Sequence, residues 1–427
     1  MNKGDSDLIR RSLIDAGFVE TDTISDASIA LYNTCSVREH AEQRATGIIN
    51  ANKRIVKNNG GITVVTGCMA QRLGAELVNN GIADLVIGPY QSPQAGAIVN
   101  EYLENGRPTI FLSQRIEDLA DRLPIRNPEL LEKNTWHHWV TISHGCDNRC
   151  TYCIVPSVRG PLISYPSKNI IRYLQELAIN GIREVTLLGQ NVNQYGIDSG
   201  DMPFYLLLEK TALIKGFDRV NFLTSHPRDF TADIIGVIKD HDNVSKSIHL
   251  PLQSGSDRIL NLMNRGYRMS DYYRLVELMH RELSSFSLST DLMVGFPGET
   301  RDEFDETLKA VASIRFDDAF TYAYSPREDT PAFPLHDTCG KDDKKFRLME
   351  LIAVQRKISS EKLFERINSV ENTIIERISK KSTRSVMGKT FLNHPVIIPG
   401  SIEDIGMKIT VKINGVKGST LQGERIA

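Results

Sequence analysis

The chain has 427 residues and a formal net charge of −2 at pH 7, with 41% hydrophobic and 24% charged residues. These proportions are typical of a soluble globular protein, and the length exceeds what one hydrophobic core organises, so we expect about three domains. The near-neutral charge excludes a uniformly basic nucleic-acid-binding surface, so any RNA contact must come from a local patch. No apolar run is long enough for a membrane span and the segment from Met1 to Asp5 has no signal-peptide core, so we expect a cytoplasmic protein without a membrane segment.

Residues 1–125 alternate between helical and strand-like patterns, which predicts a small doubly wound α/β domain. The first element is an amphipathic helix through Ala16, for which Asp5 is placed as the N-cap and Gly17 supplies the end. The patterns that follow predict strands at 28–32, 62–66 and 84–87, separated by helices at 38–57 and 70–79.

Cys35 and Cys68 each lie just past the end of one of these strands. Open α/β sheets bind ligands at that edge. A single cysteine in such a place is more often an inert thiol, so the pair becomes informative only together with the cysteines that follow.

Three more cysteines, Cys146, Cys150 and Cys153, come directly after the apolar run at 139–142. Thiols this close together, in a chain without a secretory signal, are more typical of metal or iron–sulfur binding than of disulfides. Three thiolates leave one iron of a cubane cluster open to a ligand that is not protein, whereas a structural zinc site needs four protein ligands. The alternative from these residues alone is a zinc site with His144 as the fourth ligand.

The Cys-x-x-x-Cys-x-x-Cys spacing after a strand resembles that of the radical S-adenosylmethionine (SAM) enzymes. The resemblance implies a [4Fe-4S] cluster on Cys146, Cys150 and Cys153 whose open iron binds SAM. One electron from the cluster then cleaves SAM to methionine and a 5′-deoxyadenosyl radical. Because the cofactor performs this step, no protein side chain is expected as a catalytic residue.

Residues 126–362 repeat a strand and then a helix, which predicts a partial (βα)6 barrel with its chemistry on the loops at the carboxyl ends of the strands. The predicted strands are 139–142, 184–188, 219–223, 247–250, 287–294 and 319–324. Polar and glycine-rich loops follow at 189–193, 224–227, 251–256 and 295–300. Four such loops on one rim favour a binding site over ordinary turns.

By analogy with radical SAM enzymes, these loops supply the contacts to SAM. The resemblance places Gly189, Gln190 and Asn191 near the amino group, Gln253 and Ser254 near the ribose, and Val294 and Gly295 near the adenine. It also matches Arg265 to an arginine that pairs with a carboxylate. His249 stays open between a site residue and an ordinary barrel histidine.

Pro161, Leu162 and Tyr165 depart from the family pattern, which usually has Arg, Glu and Arg at these positions. Three charged side chains beside the SAM loop are thus replaced by residues that cannot make the same hydrogen bonds. We therefore expect weakened positioning of SAM or substrate.

Residues 363–427 change to strand-like patterning with frequent glycines after a long helix at 341–367, which predicts a small β-barrel. The pattern looks like the TRAM domain, an RNA-binding barrel of tRNA-modifying enzymes. From residue 366 onward there are ten Lys and Arg against five Asp and Glu, so positive charge is concentrated where RNA phosphates would dock. The candidate RNA contacts are Lys380, Lys381, Arg384 and Lys389, with a merely solvating basic tail as the alternative.

The order of these three parts is similar to that of the radical SAM methylthiotransferases, whose amino-terminal domain holds an auxiliary [4Fe-4S] cluster on three cysteines. Cys35 and Cys68 match the second and third of those ligands. The first belongs to a Gly-Cys-x-Met-Asn segment that ends the first strand, and Met1 stands immediately after the place of that segment. We therefore expect the first strand and one ligand to be missing from this sequence.

The motifs around the two cysteines, at 33–39 and 67–72, match the MiaB branch of that family. The resemblance implies methylthiolation at C2 of N6-isopentenyladenosine at position 37 of tRNAs, with two SAM consumed per product. It implies as partners a tRNA anticodon stem-loop and an electron donor such as flavodoxin or ferredoxin, and a monomeric enzyme. The alternatives that stay open are threonylcarbamoyl-adenosine in tRNA or a ribosomal-protein aspartate as the substrate, and a zinc-stabilised RNA-binding module without catalysis.

Overall fold

The computed structural model describes residues 2–36, 39–107, 109–113, 135–380 and 382–426. Contacts divide the chain into two compact units. The first comprises Met1–Arg126, Ser143–Pro166 and Ser325–Phe333, and the second comprises Asn127–Ile142, Ser167–Tyr324 and Pro334–Ala427. The three-cysteine loop therefore belongs to the first unit together with Cys35 and Cys68, whereas the predicted SAM loops belong to the second.

The helices and strands have the following bounds. The helices are α1 (Asn2–Asp15), α2 (Glu39–Asn58), α3 (Cys68–Asn79), α4 (Ala95–Asn105), α5 (Val155–Arg159), α6 (Ser167–Ile179), α7 (Phe204–Ala212), α8 (Ala232–Asp240), α9 (Asp257–Leu262), α10 (Met269–Glu282), α11 (Arg301–Ile314) and α12 (Lys341–Glu365). The strands are β1 (Ile29–Thr34), β2 (Ile62–Gly67), β3 (Leu85–Ile87), β4 (Ile110–Phe111), β5 (His137–Thr141), β6 (Ser143–His144), β7 (Ile163–Ser164), β8 (Glu184–Leu188), β9 (Arg219–Phe222), β10 (Ser247–His249), β11 (Ser287–Val294), β12 (Asp318–Ala323), β13 (Val370–Ser379), β14 (Ser382–Thr390), β15 (Pro395–Pro399), β16 (Lys408–Lys417) and β17 (Thr420–Arg425). Within the described ranges, none of the helices has the length and apolar character needed to cross a membrane.

The first unit is built on a parallel sheet in which β1 to β4 are adjacent in chain order. Helices α1 and α4 pack on one face of the sheet, through Ile9, Leu85 and Ile98. Helices α2 and α3 pack on the other face, where Ile49 meets Val86. Helices on both faces make this sheet doubly wound, which confirms the predicted architecture.

Helix α1 begins at Asn2, before the predicted cap. The predicted N-cap role of Asp5 is therefore wrong. The Asp5 carboxylate is buried within the helix and pairs with Arg159, so a tertiary ion pair has replaced the local capping interaction. The helix ends near the predicted place, where Gly17 adopts a φ of +92° that glycine tolerates.

Six parallel strands of the second unit, β5 and β8 to β12, follow one another in chain order. A bridge between Val220 and Val244 joins the sheet β5-β8-β9 to the sheet β10-β11-β12. This arrangement confirms the partial (βα)6 barrel. The bounds of β8 and β11 are those predicted, β9 and β10 end one residue earlier than predicted, and β5 and β12 are shifted by one or two residues at both ends.

The five last strands close into a small barrel in the order β13-β14-β15-β17-β16. Its core includes Ile375, Val396, Val411 and Leu421, all fully buried. The closed barrel confirms the predicted architecture of the C-terminal part. The sequence pattern misses β13 and β14, because charged and polar side chains interrupt their alternation.

This C-terminal barrel is attached to the amino-terminal ends of the strands in the same unit. The buried Arg219 at the start of β9 pairs with Glu184 at 2.7 Å and donates to the carbonyl oxygens of residues 389–390. The Ser287 hydroxyl at the start of β11 donates to the Leu392 carbonyl at 2.7 Å. The C-terminal barrel thus lies at the end of the strands opposite to the loops predicted to hold SAM.

Replacing Arg219 with methionine should destabilise the second unit by about 3–5 kcal/mol, because Glu184 then stays buried without its cation. The matched control is Arg183→Met, since Arg183 pairs with Asp218 while 52% of its side chain is exposed. Loss of such a surface pair costs about 1 kcal/mol or less. Urea unfolding followed by circular dichroism measures both losses, and equal losses would contradict the structural role of Arg219.

Candidate functional site

The three cysteines of the first unit's loop lie between the paired strands β6 and β7. The Cys146 N–H donates to the carbonyl oxygen of Gly160 at 3.1 Å, and the Cys153 N–H donates to that of Cys150 at 3.0 Å. None of the three is in a disulfide, and Cys150 is buried while the other two are half-buried. The pairing of β6 with β7 therefore closes a short loop that carries the three cysteine sulfur atoms.

Only glycine fits at position 145, directly before the first of these cysteines. Gly145 has a φ of +69°, and a Cβ there would lie 1.8 Å from the carbonyl oxygen of Pro161. A larger residue would push the two sides of the loop apart and displace Cys146. The local backbone thus fixes where the loop begins.

The donor chemistry of the loop fits an iron–sulfur cluster, because cysteine thiolates are its usual ligands. In the described part of the chain, no group of three or more His, Cys, Asp or Glu side chains is already arranged to hold a metal ion. Sites of this kind are rarely preformed, and binding draws the ligands together. His144, the alternative fourth ligand, packs against the ring of Tyr90 at 4.9 Å. Burial and then the charge of Arg159 lower the pKa of His144 to about 3, so this side chain is a neutral imidazole.

Cys35 and Cys68 follow neighbouring strands of the sheet in the same unit. The last residues of those strands, Thr34 and Gly67, are in register, and the Thr34 hydroxyl donates to the carbonyl oxygen of Thr66 at 2.6 Å. The two cysteines therefore leave the sheet at one edge, where a ligand is expected in an open α/β sheet.

Arg159 links the three-cysteine segment to Cys68. It ends α5, is fully buried, and donates through Nε to the Cys68 sulfur at 3.1 Å and through Nη2 to Asp5 at 2.5 Å. Burial opposes the charge of this guanidinium, but Asp5 and Cys68 outweigh burial, so the pKa of Arg159 is raised. A permanent positive charge therefore lies beside the Cys68 sulfur. Sequence reasoning did not single out this residue.

A second buried network, also missed from the sequence, surrounds the pair of cysteines. The Glu42 carboxylate accepts hydrogen bonds from Ser36, Arg72 and Arg327. Ser36 follows the first cysteine, and Arg72 lies about one helical turn after the second. One carboxylate therefore orients both cysteine segments. The spacing of Arg72 from the start of α3 is the signal that could have found it.

The residues predicted to contact SAM lie at the carboxyl ends of barrel strands in the second unit, as expected. Gly189, Gln190 and Asn191 follow β8, while Val294 ends β11 and Gly295 follows it. The Asn191 amide donates to an Asp229 oxygen at 2.6 Å, and the Gly295 N–H donates to a Glu299 oxygen at 2.7 Å. Internal hydrogen bonds thus hold both loops.

The loop after β10 is held by aromatic side chains. Gln253 has a φ of +74°, and its side-chain oxygen accepts from the Tyr322 hydroxyl at 2.7 Å. Ser254, the other residue predicted near the ribose, is fully buried. Arg265 is buried, donates to the carbonyl oxygen of residue 251 at 2.8 Å and lies 5.4 Å above the ring of Tyr267. Its carboxylate partner stays a prediction.

Lys344 of α12 covers the predicted adenine contact and was missed from the sequence. A Cβ added to Gly295 would lie 2.5 Å from the Lys344 side chain. The Lys344 ammonium is paired with Asp337 at 2.5 Å. The charge pattern of α12 does not reveal which of its lysines turns inward, so Lys344 could not be picked out from the sequence.

The three departures from the family pattern are accommodated differently. Leu162 and Tyr165 are each only 5% exposed, whereas Pro161 is exposed. The Leu162 N–H donates to the Asp147 carboxylate at 2.9 Å, so its backbone stays bound to the three-cysteine loop. Two buried residues, Leu162 and Tyr165, therefore occupy positions where the family usually has charged residues.

The predicted RNA contacts do not form one cluster. Lys380 lies in the turn after β13, and Arg384 is exposed near the start of β14. Lys389 lies five residues farther along the same strand, roughly 16 Å away at the usual rise per residue. Lys381 lies outside the described residues.

Family models match two parts of this chain. Residues 140–311 match the model described as Radical SAM superfamily, and residues 1–88 match the one described as Uncharacterized protein family UPF0004. Among solved structures, the radical S-adenosylmethionine methyltransferase TsrM from Kitasatospora setae has a TM-score of 0.57. The two chains are 14% identical, with 77% of this chain and 74% of that chain covered, so this likeness concerns the fold alone.

Curated proteins are similar to this chain over its whole length. The tRNA-2-methylthio-N(6)-dimethylallyladenosine synthase of Sulfurihydrogenibium sp. (strain YO3AOP1) is 36% identical over 431 residues, which cover 100% of this chain and 97% of that protein. The protein of the same name from Clostridium botulinum (strain Okra / Type B1) is 37% identical, with 100% and 95% covered. The one from Natranaerobius thermophilus is 35% identical, with 99% and 94% covered.

Replacing Arg159 with methionine should lower the melting temperature most strongly near neutral pH. Burial disfavours the Asp5 carboxylate, but the charge and hydrogen bond of Arg159 leave the pKa of Asp5 lowered from 3.8. A carboxyl group with a lowered pKa contributes stability above its unfolded pKa, and this stability is lost as the pH falls through the folded pKa. The difference in melting temperature between wild type and variant should therefore shrink from pH 7 to below pH 4.

Arg10→Met is the control for this pH series, because Arg10 pairs with Glu20 at the surface. That variant should stay close to wild type at every pH. A wild-type advantage over Arg159→Met that is equally large at pH 7 and at low pH would contradict the assigned ion pair.

Proposed function

The chain belongs to the family of tRNA-2-methylthio-N(6)-dimethylallyladenosine synthases within the radical SAM superfamily, and from this premise we propose that it adds a methylthio group to C2 of N6-isopentenyladenosine at position 37 of tRNAs. An iron–sulfur cluster and SAM are its cofactors. The observation that carries the proposal is similarity to the named relatives over 100% of the chain, which includes the cysteine loop and both barrels.

The chemistry of the target explains why these cofactors are needed. C2 of adenine bears an unactivated aromatic C–H bond that acid–base catalysis cannot usefully ionise. When bound, the cluster on Cys146, Cys150 and Cys153 supplies the electron that cleaves SAM. The chain itself supplies the three thiolates, the Gly145 turn that places them, and the loops after β8, β10 and β11 that bind SAM.

An auxiliary [4Fe-4S] cluster at Cys35 and Cys68 is part of the proposal. Its support is that both cysteines leave one edge of the sheet and that Arg159 donates to the Cys68 sulfur. Arg159 offsets negative charge on sulfur ligands, and Glu42 orients the segments on which they lie. The auxiliary site would supply the sulfur. Each product would then consume two molecules of SAM, one as the methyl donor and one as the source of the radical.

The RNA partner in this proposal is the anticodon stem-loop of tRNA. Its target base lies in a single-stranded loop, where extrusion into a protein pocket costs little compared with opening a duplex. The C-terminal barrel contributes Lys380, Lys381, Arg384 and Lys389 as phosphate contacts, which accords with its excess of Lys and Arg.

A small electron-transfer protein such as flavodoxin or ferredoxin supplies the reducing electron, and the enzyme acts as a monomer in the cytoplasm. The domains are 1–125 for the auxiliary cluster, 126–362 for SAM and 363–427 for RNA.

Alanine at Cys146, Cys150 and Cys153 should abolish SAM cleavage, because the electron source is lost. Alanine at Cys35 and Cys68 should preserve 5′-deoxyadenosine formation but abolish methylthiolation, with about half of the bound iron lost. Chromatography with mass spectrometry on anaerobically reconstituted protein measures both products. Cys339→Ala is the control and should behave as wild type, since this buried cysteine belongs to neither group. Methylthiolation that survives without Cys35 and Cys68 would remove the auxiliary cluster from the proposal.

Deleting the gene should remove the 2-methylthio group from tRNA while N6-isopentenyladenosine accumulates. Nucleoside analysis of bulk tRNA measures this directly. Restoring the wild-type gene should bring the methylthiolated nucleoside back, and the Cys150→Ala gene should not. Loss of a methylthiolated threonylcarbamoyl-adenosine instead would assign the chain to a different substrate.

A further inference from the structure

The sheet β10-β11-β12 has one buried and one accessible face. Ile248, Leu288 and Leu292 are at most 3% exposed, and they share a face by register and alternation. The residues on the opposite face pair in register as His249 with Ser289, Asp291 with Phe320, and Met293 with Tyr322. Met293 is only 4% exposed, and we call the other five residues of this set the open face, defined by His249, Ser289, Asp291, Phe320 and Tyr322.

His249 and Asp291 lie next to each other on the open face. The His249 Nε2 lies 3.4 Å from an Asp291 oxygen, and its Nδ1 lies 3.0 Å from the Ser289 hydroxyl. About a fifth of each side chain of the pair is exposed. His249, which is held by the Ser289 hydroxyl, therefore lies beside a carboxylate that solvent and ligands can reach.

Phe320 places an aromatic surface next to this carboxylate. Half of Phe320 is exposed, which is unusual for a phenylalanine inside a strand of a barrel wall. Its ring packs edge-to-face on His249, with 5.8 Å between centroids and 74° between planes. The ring is thus held by one neighbour while much of its surface remains accessible for stacking.

The open face is continuous with a loop predicted to contact SAM. Tyr322, two residues after Phe320, donates its hydroxyl to Gln253, and the Gln253 N–H donates to the Asp291 carbonyl oxygen at 2.8 Å. A ligand on the open face would therefore lie beside the proposed SAM ribose contact. A radical generated from SAM must reach its target over a short distance, so this is where a reacting partner is needed.

We propose that the open face binds the target adenine of the RNA, with Phe320 stacked on the base and the Asp291 carboxylate accepting the N6–H hydrogen bond. The inference rests on the proposed function and names residues that recognise its substrate. An N6-isopentenyl adenine has a single N6–H, and an ionised carboxylate only accepts hydrogen bonds, so the two groups are complementary. Stacking on an aromatic side chain is the general way in which proteins hold an unpaired base. His249 is a positioning residue in this arrangement, because it acts by orienting Asp291.

SAM is the competing occupant, since its adenine also has N6–H donors. The predicted SAM contacts, however, lie at or after the ends of β8, β10 and β11, whereas Asp291 and Phe320 lie farther back within their strands. Each is followed by at least three further residues of its strand. The open face thus remains for a second ligand when the loops are used by SAM.

Three anticodon stem-loops test the proposal by fluorescence anisotropy. They have N6-isopentenyladenine, N6-methyl-N6-isopentenyladenine or no base at position 37, and each is titrated into reconstituted protein with S-adenosylhomocysteine. Wild type should prefer the first probe to the second by about tenfold, as expected for a hydrogen bond to a charged acceptor. Asp291→Ala should reduce this preference to about one. Phe320→Ala should weaken both base-containing probes by about tenfold and leave the abasic probe unchanged.

Matched variants control for general effects on charge and folding. Asp318→Ala removes an exposed carboxylate at the start of the same strand as Phe320, and Phe346→Ala removes an aromatic ring that is 64% exposed on α12. Both should bind the three probes as wild type does. Phe320→Tyr should restore the affinity that Phe320→Ala loses, because it keeps the aromatic ring.

The outcomes separate this inference from the proposed function. If wild type methylthiolates the stem-loop but Asp291→Ala retains the preference for N6–H, the inference fails alone. It fails as well if either variant instead raises the SAM concentration needed for 5′-deoxyadenosine formation while probe preferences stay unchanged. Wild type that forms no product and binds abasic and base-containing probes equally would overturn both.

Discussion

One buried guanidinium holds together the parts of the first unit on which the candidate clusters depend. Arg159 comes from the helix just after the three-cysteine loop, and it reaches both Asp5 in α1 and Cys68 at the start of α3. An isolated buried cation would cost far more than a folded chain can lose, so these three residues must come together or not at all. Charge pairing therefore helps to set the position of the three-cysteine loop relative to Cys68, together with the packing of Ile154 and Val158 against Cys68.

The second unit uses the same principle at a different place. Arg219 is buried between Glu184 and carbonyl oxygens of the C-terminal barrel. Replacing a buried ion pair by apolar packing often costs nothing, so such pairs are poor evidence of stability. A buried ion pair instead favours one arrangement of the two chain segments that carry it, because a shift of either segment would leave a buried charge unpaired. Arg159 in the first unit and Arg219 in the second each join two parts of the same unit that must pack in one orientation. This explains why each buried arginine lies where it does.

The sequence predicted features that depend on nearby residues. Alternation of strands and helices located all six barrel strands, and the spacing of Cys146, Cys150 and Cys153 located the loop, because both patterns are local. Pairings between distant residues were not visible. Arg159 and Cys68 are 91 positions apart and Asp291 follows His249 by more than 40, so their meeting depends on register and packing. Asp5 shows the limit of a prediction from neighbouring residues alone. Aspartate often caps a helix, but Asp5 is the buried counterion of Arg159.

The attachment of the C-terminal barrel constrains how an RNA can use this molecule. Arg219 and Ser287 hold that barrel at the starts of β9 and β11, whereas the loops predicted to bind SAM lie at the opposite ends of β8, β10 and β11. The longest of these strands, β11, has eight residues. Eight residues extend about 26 Å, so an RNA that touches both ends must be longer than a few nucleotides. A folded stem-loop meets this requirement and a free nucleoside does not. In the proposed function, contacts from Lys and Arg to phosphates give affinity without sequence information, while the proposed base contacts Asp291 and Phe320 select the base. The proposal thus separates affinity and base selection along one set of strands, so that each can change without the other.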